Sequence, residues 1–315
     1  MLIWRNFDEA KAGLGGRQVA LTIGTFDGVH LGHRQIIGEL CRQAKARHLS
    51  SLVMTFANHP AAHVTDAAPP LLIPLAQRLD LLADLGVEAA LVASFDADLA
   101  GLDARTFVLG RLCRDLQAKV IVVGHDFRFG AGGLGNAEVL AALGAGEGAF
   151  DVVRVPPVAC EGTVVSSTAV RWALTAGDVV SAAKLLGRPF SVRGTIATGA
   201  GRGRKLGFPT ANLTLAPGSL WPRYGVYLVR ISLGEGQYHG VANVGVKPTF
   251  GRSEPVIEVF ILGYGGDLYG KSIEVAFLAF IRPEKRFPDA EALRHQIEAD
   301  IRQAEAIAGS MGGLR

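Results

Sequence analysis

The chain has 315 residues, of which 49% are hydrophobic and 19% charged, with a formal net charge of +3. These values describe a globular protein with ample core material, of a length that suggests two domains. They exclude a disordered chain and give no global case for nucleic-acid binding.

Val19 to Ile23 is an apolar run that reads as a buried strand, and Leu31 to about Arg47 is patterned as a helix. Ser51 to Phe56 is a second short strand, followed by a loop rich in Pro, Ala and His from Ala57 to Ile73. Pro74 opens a helix in which Leu75, Leu79, Leu82 and Leu85 recur at helical spacing, and Gly86 ends it. Ala89 to Phe95 reads as a strand, Arg105 to Leu116 as a helix, and Lys119 to Val123 and Asp151 to Val155 as strands. This alternation predicts a doubly wound parallel α/β sheet, with sites at the carboxyl ends of its strands. A short helix after Thr168 and the segment Val179 to Leu185 complete a first domain, residues 1–186.

Gly187-Arg188-Pro189 breaks the pattern. Beyond it the period is two, in Ser191 to Thr195, Gly225 to Ile231, Tyr238 to Val244, Ile257 to Leu262 and Ile273 to Phe280. Strands separated by Gly/Pro turns predict a small antiparallel β-barrel over residues 187–315. A helix from about Asp289 to Ile307 ends it, with Leu293, Ile297, Ile301 and Ala304 as the stripe facing the barrel. Gly187 to Gly234 holds seven Lys/Arg and no Asp/Glu, so this block needs a solvated surface or an anionic partner. Cys41, Cys113 and Cys160 match no zinc or redox spacing, and Cys41 and Cys113 read as buried helix thiols suited to a reducing cytosol. The N-terminus lacks a long apolar h-region, so no signal peptide is expected, and no apolar run approaches the ~18 residues of a membrane span.

The stretch Gly24-Thr25-Phe26-Asp27-Gly28-Val29-His30-Leu31-Gly32-His33 joins the first strand to its helix. A helix N-terminus offers free N–H groups and partial positive charge to phosphate, and residues three apart share a helix face. Imidazoles there can donate to phosphate oxygens and, if protonated, offset charge on a leaving group. A bare His-x-x-His pair would read as two surface histidines; the strand, Gly turn and helix around this one reverse that reading. Gly124-His125-Asp126-Phe127-Arg128-Phe129-Gly130 lies at a second strand end. Ser166-Ser167-Thr168-Ala169-Val170-Arg171 opens a helix, where hydroxyls cap it and, with the free N–H groups and the arginine, can also hold phosphate. Gly130 to Gly135 matches G-x-G-x-x-G but does not follow its strand directly, so it reads as a mobile loop over a site rather than a dinucleotide fingerprint. His59 and His63 lack the glutamate and third ligand of a zinc site.

In the second half, Gly199 to Asn212 contains Gly201, Gly203, Gly207 and three cations, then Thr210 and Asn212 at i, i+2. It is not a Walker A loop, since Leu206 follows Lys205. A hydroxyl and an amide oxygen on one strand face are hard ligands suited to Mg²⁺; the plain alternative is a basic turn entering a strand. Glu258 lies in an apolar strand whose alternation leaves open whether it faces inward or outward.

Together these residues resemble the prokaryotic bifunctional riboflavin kinase/FAD synthetase family, from about Arg17 to Ala304. Gly24 to His33, Gly124 to Gly130 and Ser166 to Arg171 resemble its nucleotidyltransferase module. Gly207-Phe208-Pro209-Thr210-Ala211-Asn212, Gly225-Val226-Tyr227, Asn243 to Phe250 and Glu258 resemble its kinase module. The resemblance implies ATP-dependent phosphorylation of riboflavin to FMN in the barrel, with Mg²⁺ on Thr210 and Asn212 and Glu258 as general base. It implies adenylyl transfer to FMN in the α/β domain, giving FAD and pyrophosphate. There His30 and His33 would stabilise phosphate charge, and Arg171 with Ser166, Ser167 and Thr168 would hold the triphosphate. Gly24, Thr25, Phe26, Asp27, Gly32 and Asp126 would complete that nucleotide site, and Gly201, Gly203 and Gly207 the kinase one.

Three departures stand out. Phe56-Ala57-Asn58-His59-Pro60 lacks an acidic residue usual in the family on the flavin side of the first site. His125 stands where Glu or Asp is frequent, and Phe260 where the kinase strand usually has His. The expected partners are ATP, riboflavin and FMN, with no nucleic acid and no membrane, for a cytoplasmic monomer or weak oligomer. The rivals are a chain with only the kinase half active and a non-catalytic flavin- or RNA-binding regulator.

Overall fold

The computed structural model describes residues 1–61, 68–148, 150–197, 207–249, 252–266 and 268–311. The chain forms two compact units, Met1–Ser166 and Ser167–Arg315.

The first unit is built on a six-stranded sheet in which every pairing is parallel. Its strands are β1 (Leu2–Trp4), β2 (Val19–Ile23), β3 (Ser50–Phe56), β4 (Ala89–Ala93), β5 (Ala118–Gly124) and β6 (Asp151–Val155), in the order β1-β4-β3-β2-β5-β6. Winding runs outward from β2 through β3 and β4, then restarts on the other side of β2 at β5. The ends of β2 and β5 therefore flank the topological switch point, where ligands bind in such sheets.

Helices cover both faces. α1 (Phe7–Leu14), α4 (Ala104–Thr106, continuing as a π-helical stretch Phe107–Asp115) and α5 (Ala137–Leu143) pack with Leu21, Ile23, Leu52, Met54 and Phe56. Strand alternation turns Thr22, Val53 and Thr55 to the opposite face, which α2 (Leu31–Ala46) and α3 (Leu75–Asp84) cover with buried Ile37, Leu40, Leu79 and Leu82. Each fully buried Leu or Ile contributes about 1.5–3 kcal/mol.

The doubly wound sheet was expected, but β1 and α1 were not. Their signal was Asn6-x-x-Glu9, a variant of the capping box: the N-cap Asn6 accepts from the Glu9 amide at 2.8 Å, and Glu9 accepts from the amide of Arg5, one residue before the cap, at 2.7 Å. The strand expected to reach Phe95 ends at Ala93, because Asn58 takes over the pairing. It accepts from the Phe95 amide at 2.9 Å and donates to the Phe95 carbonyl at 2.8 Å. The Gly130–Gly135 segment, expected as a mobile loop, is a hydrogen-bonded turn. Phe129 and Gly135 exchange backbone bonds of 3.1 and 2.9 Å, and Ala131 donates to the Leu102 carbonyl.

The second unit opens with α6 (Ser167–Ala176) and α7 (Val179–Leu186). A short ribbon of β7 (Ala159–Cys160) and β8 (Thr163–Val164) precedes them at the end of the first unit, and after them a closed antiparallel barrel follows in the order β10-β13-β12-β11-β14-β9. Its strands are β9 (Phe190–Ala197), β10 (Ala211–Leu213), β11 (Gly225–Leu233), β12 (Gly236–Thr249), β13 (Arg252–Ile261) and β14 (Ser272–Pro283). The last helix, α8 (Ala290–Ser310), covers the outer side of Leu228, Val241, Leu278 and Ile281. Of the expected stripe only Ala304 is buried; Asp300 and Ala308 are the other buried positions. Leu293, Ile297 and Ile301 are partly exposed, because the face that meets the barrel is the one carrying Ala304 and Ala308.

Asp300 is buried because Arg282 meets it with two bonds of 2.8 and 2.7 Å, and Gln296 adds a third at 2.9 Å. Their side chains are 4% and 19% exposed, so removing one partner strands a nearly buried charge. Asp300→Ala should lower stability by about 3 kcal/mol in urea denaturation, while Arg282→Met with Asp300→Leu should recover most of the loss. A loss under about 1 kcal/mol for Asp300→Ala would reduce the pair to a surface contact.

Candidate active sites

In the first unit, Gly24 to His30 carries the chain from the end of β2 into α2. Two side-chain-bearing residues there adopt left-handed backbone, Phe26 (φ 48°) and Val29 (φ 43°), beside Gly28 (φ 86°). For a β-branched residue this is an outlier, and such conformations cost of order 1–3 kcal/mol each. They persist because Phe26, Asp27, Val29 and His30 are all buried.

The histidines are ordered by this turn. His30 caps α2, its Nδ1 accepting from the His33 amide at 3.2 Å, which places its own proton on Nε2. The two rings stack at 3.6 Å, and Phe26 meets His33 edge-on at 5.2 Å. His33 Nδ1 is buried with no hydrogen-bond partner among the described residues. Burial, then His30, then Arg78 hold His33 well below the ordinary histidine range, so it is neutral at pH 7. A Cβ on Gly32 would stand 3.2 Å from the His30 ring, tighter than an ordinary contact, so glycine here leaves room for that ring to lie against the helix start.

The remaining expected nucleotide residues of this unit divide. Gly24 and Thr25 are partly exposed at the mouth of the turn, and Asp126 is exposed at the end of neighbouring β5. Asp27 is 1% accessible; both its oxygens accept from the Leu72 amide at 3.0 Å, and Oδ1 also from Ile73 at 3.3 Å. Its carboxylate thus faces the segment before α3. Ser166 ends the first unit, while Ser167, Thr168 and Arg171 lie on α6 of the second. His125, at the second of the three departures, is exposed with Nδ1 4.0 Å from Asp126. Cys41 and Cys113, expected to be buried, are half-buried on their helices, and burial raises both thiol pKa values.

Sequence reasoning passed over Arg78, which is 3% accessible on α3. Its Nη1 donates to Thr55 Oγ1 and to the Phe56 carbonyl, both at 3.1 Å. The available signal was an arginine one turn before Leu82, on the buried stripe of that helix.

In the second unit, strand register builds the candidate site. Asn212 of β10 stands opposite Glu258 of β13, which stands opposite Asn243 of β12. The adjacent row, Ala211, Val259, Ala242 and Tyr227, is buried core. The row with Glu258 therefore looks outward from the barrel, which settles the orientation its sequence left open. Asn212 is nevertheless 8% accessible. Phe260, two residues beyond Glu258 on the same face, meets Phe208 edge-on at 5.6 Å, so an aromatic contact occupies the position where a histidine was usual.

Gly207 has left-handed backbone (φ 89°), and Thr210 is partly exposed just before β10. Gly201 and Gly203, with Arg202, Arg204 and Lys205, lie outside the described residues, as do His63 and Phe250. Asn243 was quoted only within a motif; its place beside Glu258 needed the register. Thr210, Asn212 and Glu258 offer hydroxyl, amide and carboxylate oxygens, a donor set that fits a hard divalent cation.

Among the described residues no helix is long and apolar enough to cross a membrane. A family profile described as FAD synthetase matches residues 15–169, and one described as riboflavin kinase matches residues 186–308. The bifunctional riboflavin kinase/FMN adenylyltransferase of Escherichia coli K12 is 41% identical over 292 residues, 92% of each chain. That of Pseudomonas fluorescens is 38% identical over 293 residues, covering 93% of this chain and 94% of its own. A crystal structure from Streptococcus pneumoniae, described as a macrolide-efflux protein, superposes with a TM-score of 0.85 at 31% identity, covering 96% of this chain and 98% of its own. On the matches to both halves and to full-length relatives, the chain belongs to the bifunctional riboflavin kinase/FMN adenylyltransferase family.

Proposed function

We propose that the chain makes FAD from riboflavin in two ATP-dependent steps, one in each unit. The observation that carries this reading is that the two family profiles fall on two separately folded units, each presenting its own polar constellation.

In the barrel, the riboflavin 5′-hydroxyl attacks the γ-phosphorus of ATP. A new O–P bond forms, the bond to the β,γ-bridging oxygen breaks, ADP leaves, and the hydroxyl proton passes to Glu258 as general base. Asn212 and Asn243, on either side of Glu258, fix that carboxylate's surroundings. Thr210 and Asn212 would hold Mg²⁺, which supplies positive charge to the phosphates when bound.

In the α/β unit, an FMN phosphate oxygen attacks the α-phosphorus of ATP, and pyrophosphate leaves. The free N–H groups at the start of α2 and the Nε2–H of His30 are donors for phosphate oxygens. His33 approaches the phosphates as a neutral imidazole. Within this unit Gly24, Thr25, Asp126 and Ser166 line the approach of the triphosphate. No covalent enzyme intermediate is needed; positioning and electrostatics suffice. We assign the boundary between the two catalytic modules to residues 186/187, and we propose that the chain acts in the cytoplasm as a monomer or weak oligomer without nucleic-acid or membrane partners.

Incubation with riboflavin, ATP and Mg²⁺, with the flavins resolved by chromatography, tests the whole reading. FMN and FAD together are expected. FMN alone would eliminate the adenylyl-transfer half, and neither product would eliminate the enzyme. Glu258→Gln should cut FMN formation by about 10²–10⁴-fold and leave FMN-to-FAD conversion intact. His30→Ala should do the reverse, lowering FAD formation by about 10²–10³-fold. In NMR titration of the substrate-free protein, the His33 ring should stay unprotonated as pH falls through the usual histidine midpoint of about 6.5; protonation at or above that pH would contradict the environment described for it.

A further inference from the structure

Arg78 is a cation buried between α3 and the sheet, and a stripe position with only a packing task would take an apolar residue. Burying a guanidinium costs several kcal/mol unless its surroundings repay it. Here burial lowers its pKa and the Asp27 carboxylate opposes that shift.

Its bonds lead to the phosphate turn. Nη1 donates to Thr55 Oγ1, and the Thr55 hydroxyl donates in turn to the Thr25 carbonyl at 3.2 Å. A second bond from the same nitrogen holds the Phe56 carbonyl at the end of β3. Asp27, two residues beyond Thr25, is tied to Leu72 and Ile73 just before α3 begins at Leu75. The strained pair Phe26 and Val29 thus sits in a turn anchored at Thr25 and Asp27.

We propose that Arg78 is a positioning residue for adenylyl transfer: through Thr55, Thr25 and Asp27 it fixes the left-handed turn that sets His30 and His33 at the start of α2. This rests on the reading of that turn as the adenylyl-transfer site.

Arg78 acts on His33 by charge as well. Facing His33 are His30 from its own helix start and Arg78 from α3, and the Asp27 carboxylate in turn acts on Arg78; β2 and β3 present neutral Thr22 and Thr55 on this side. A guanidinium disfavours a second cation beside it, so removing it should let His33 take a proton at higher pH.

The test uses the full-length chain as wild type, Arg78→Met and Arg78→Lys. FMN formation from riboflavin, FAD formation from FMN and the substrate-free His33 NMR titration are all measured. For Arg78→Met, the kcat of FAD formation should fall about 10²-fold, FMN formation should stay within about twofold, and the His33 titration should move to higher pH. Arg78→Lys keeps the charge and a donor, so it should leave the titration in place and recover at least about tenfold of the lost rate. Unchanged FAD formation in Arg78→Met, a rate loss with an unmoved His33 titration, or equal loss of both activities would overturn the proposal. If wild type makes no FAD yet the His33 titration still moves in Arg78→Met, the positioning of His33 is supported and the adenylyl-transfer reading is what fails.

Discussion

The first unit depends on how the chain is held between β2 and α2. Phe26 and Val29 are in conformations that side-chain-bearing residues avoid, and the Val29 amide closes the turn on the Phe26 carbonyl at 3.1 Å. The rest of the repayment is tertiary. Asp27 accepts three bonds from Leu72 and Ile73, and Thr55 ties Thr25 to Arg78. Leu72 and Ile73 lie roughly fifty residues downstream of the turn, so its geometry rests on the docked segment that leads into α3. The reward is two histidine rings stacked at 3.6 Å at a helix start, one with its tautomer fixed by the cap and the other kept neutral by its neighbours. Catalytic electrostatics gain most from groups that need no reorganisation when charge develops.

The barrel reaches preorganisation by a different route. Asn212, Glu258 and Asn243 come from three strands, and ladder pairing alone places them in one row. A slip of one residue would send Glu258 into the core and put Ile257 or Val259 on the outer face. The buried row Ala211, Val259, Ala242 and Tyr227 resists that slip, because it would exchange apolar contacts for a buried carboxylate. The core of the barrel thereby fixes the polar row outside it.

What could be read from the sequence follows from which interactions are local. Strand–helix alternation, the change to period two and most element limits were legible, since they depend on neighbours within a few residues. Gly24 to His33 and Thr210 to Asn212 were legible because glycines, histidines and hard oxygen donors were adjacent. The face of Glu258 was not, because β13 is apolar on both sides of it and only pairing with β10 and β12 decides. Arg78 was hidden by its helix, where one arginine among leucines reads as a snorkelling surface residue. Asp27 drew a nucleotide role from its position in the motif, yet its carboxylate is bonded inward to Leu72 and Ile73. Asn58 was read as a loss of acidity near the flavin; the structure adds that its amide carries the pairing of β3 and β4 one step past the strand ends.

The two devices differ in how they fail. A turn held against its own backbone preference by remote buried bonds loses its geometry when any tie is cut, even one that never meets a substrate. A row set by strand register is insulated from single distant changes, since displacing it means breaking many ladder bonds together. Substitutions that impair the α/β unit without touching its phosphate groups should therefore concentrate at Thr55, Arg78 and the inward-facing carboxylate of Asp27, since Leu72 and Ile73 contribute backbone amides. In the barrel the comparable sensitivity is confined to the row itself. The two proposed phosphate sites thus carry their vulnerability in different parts of the fold.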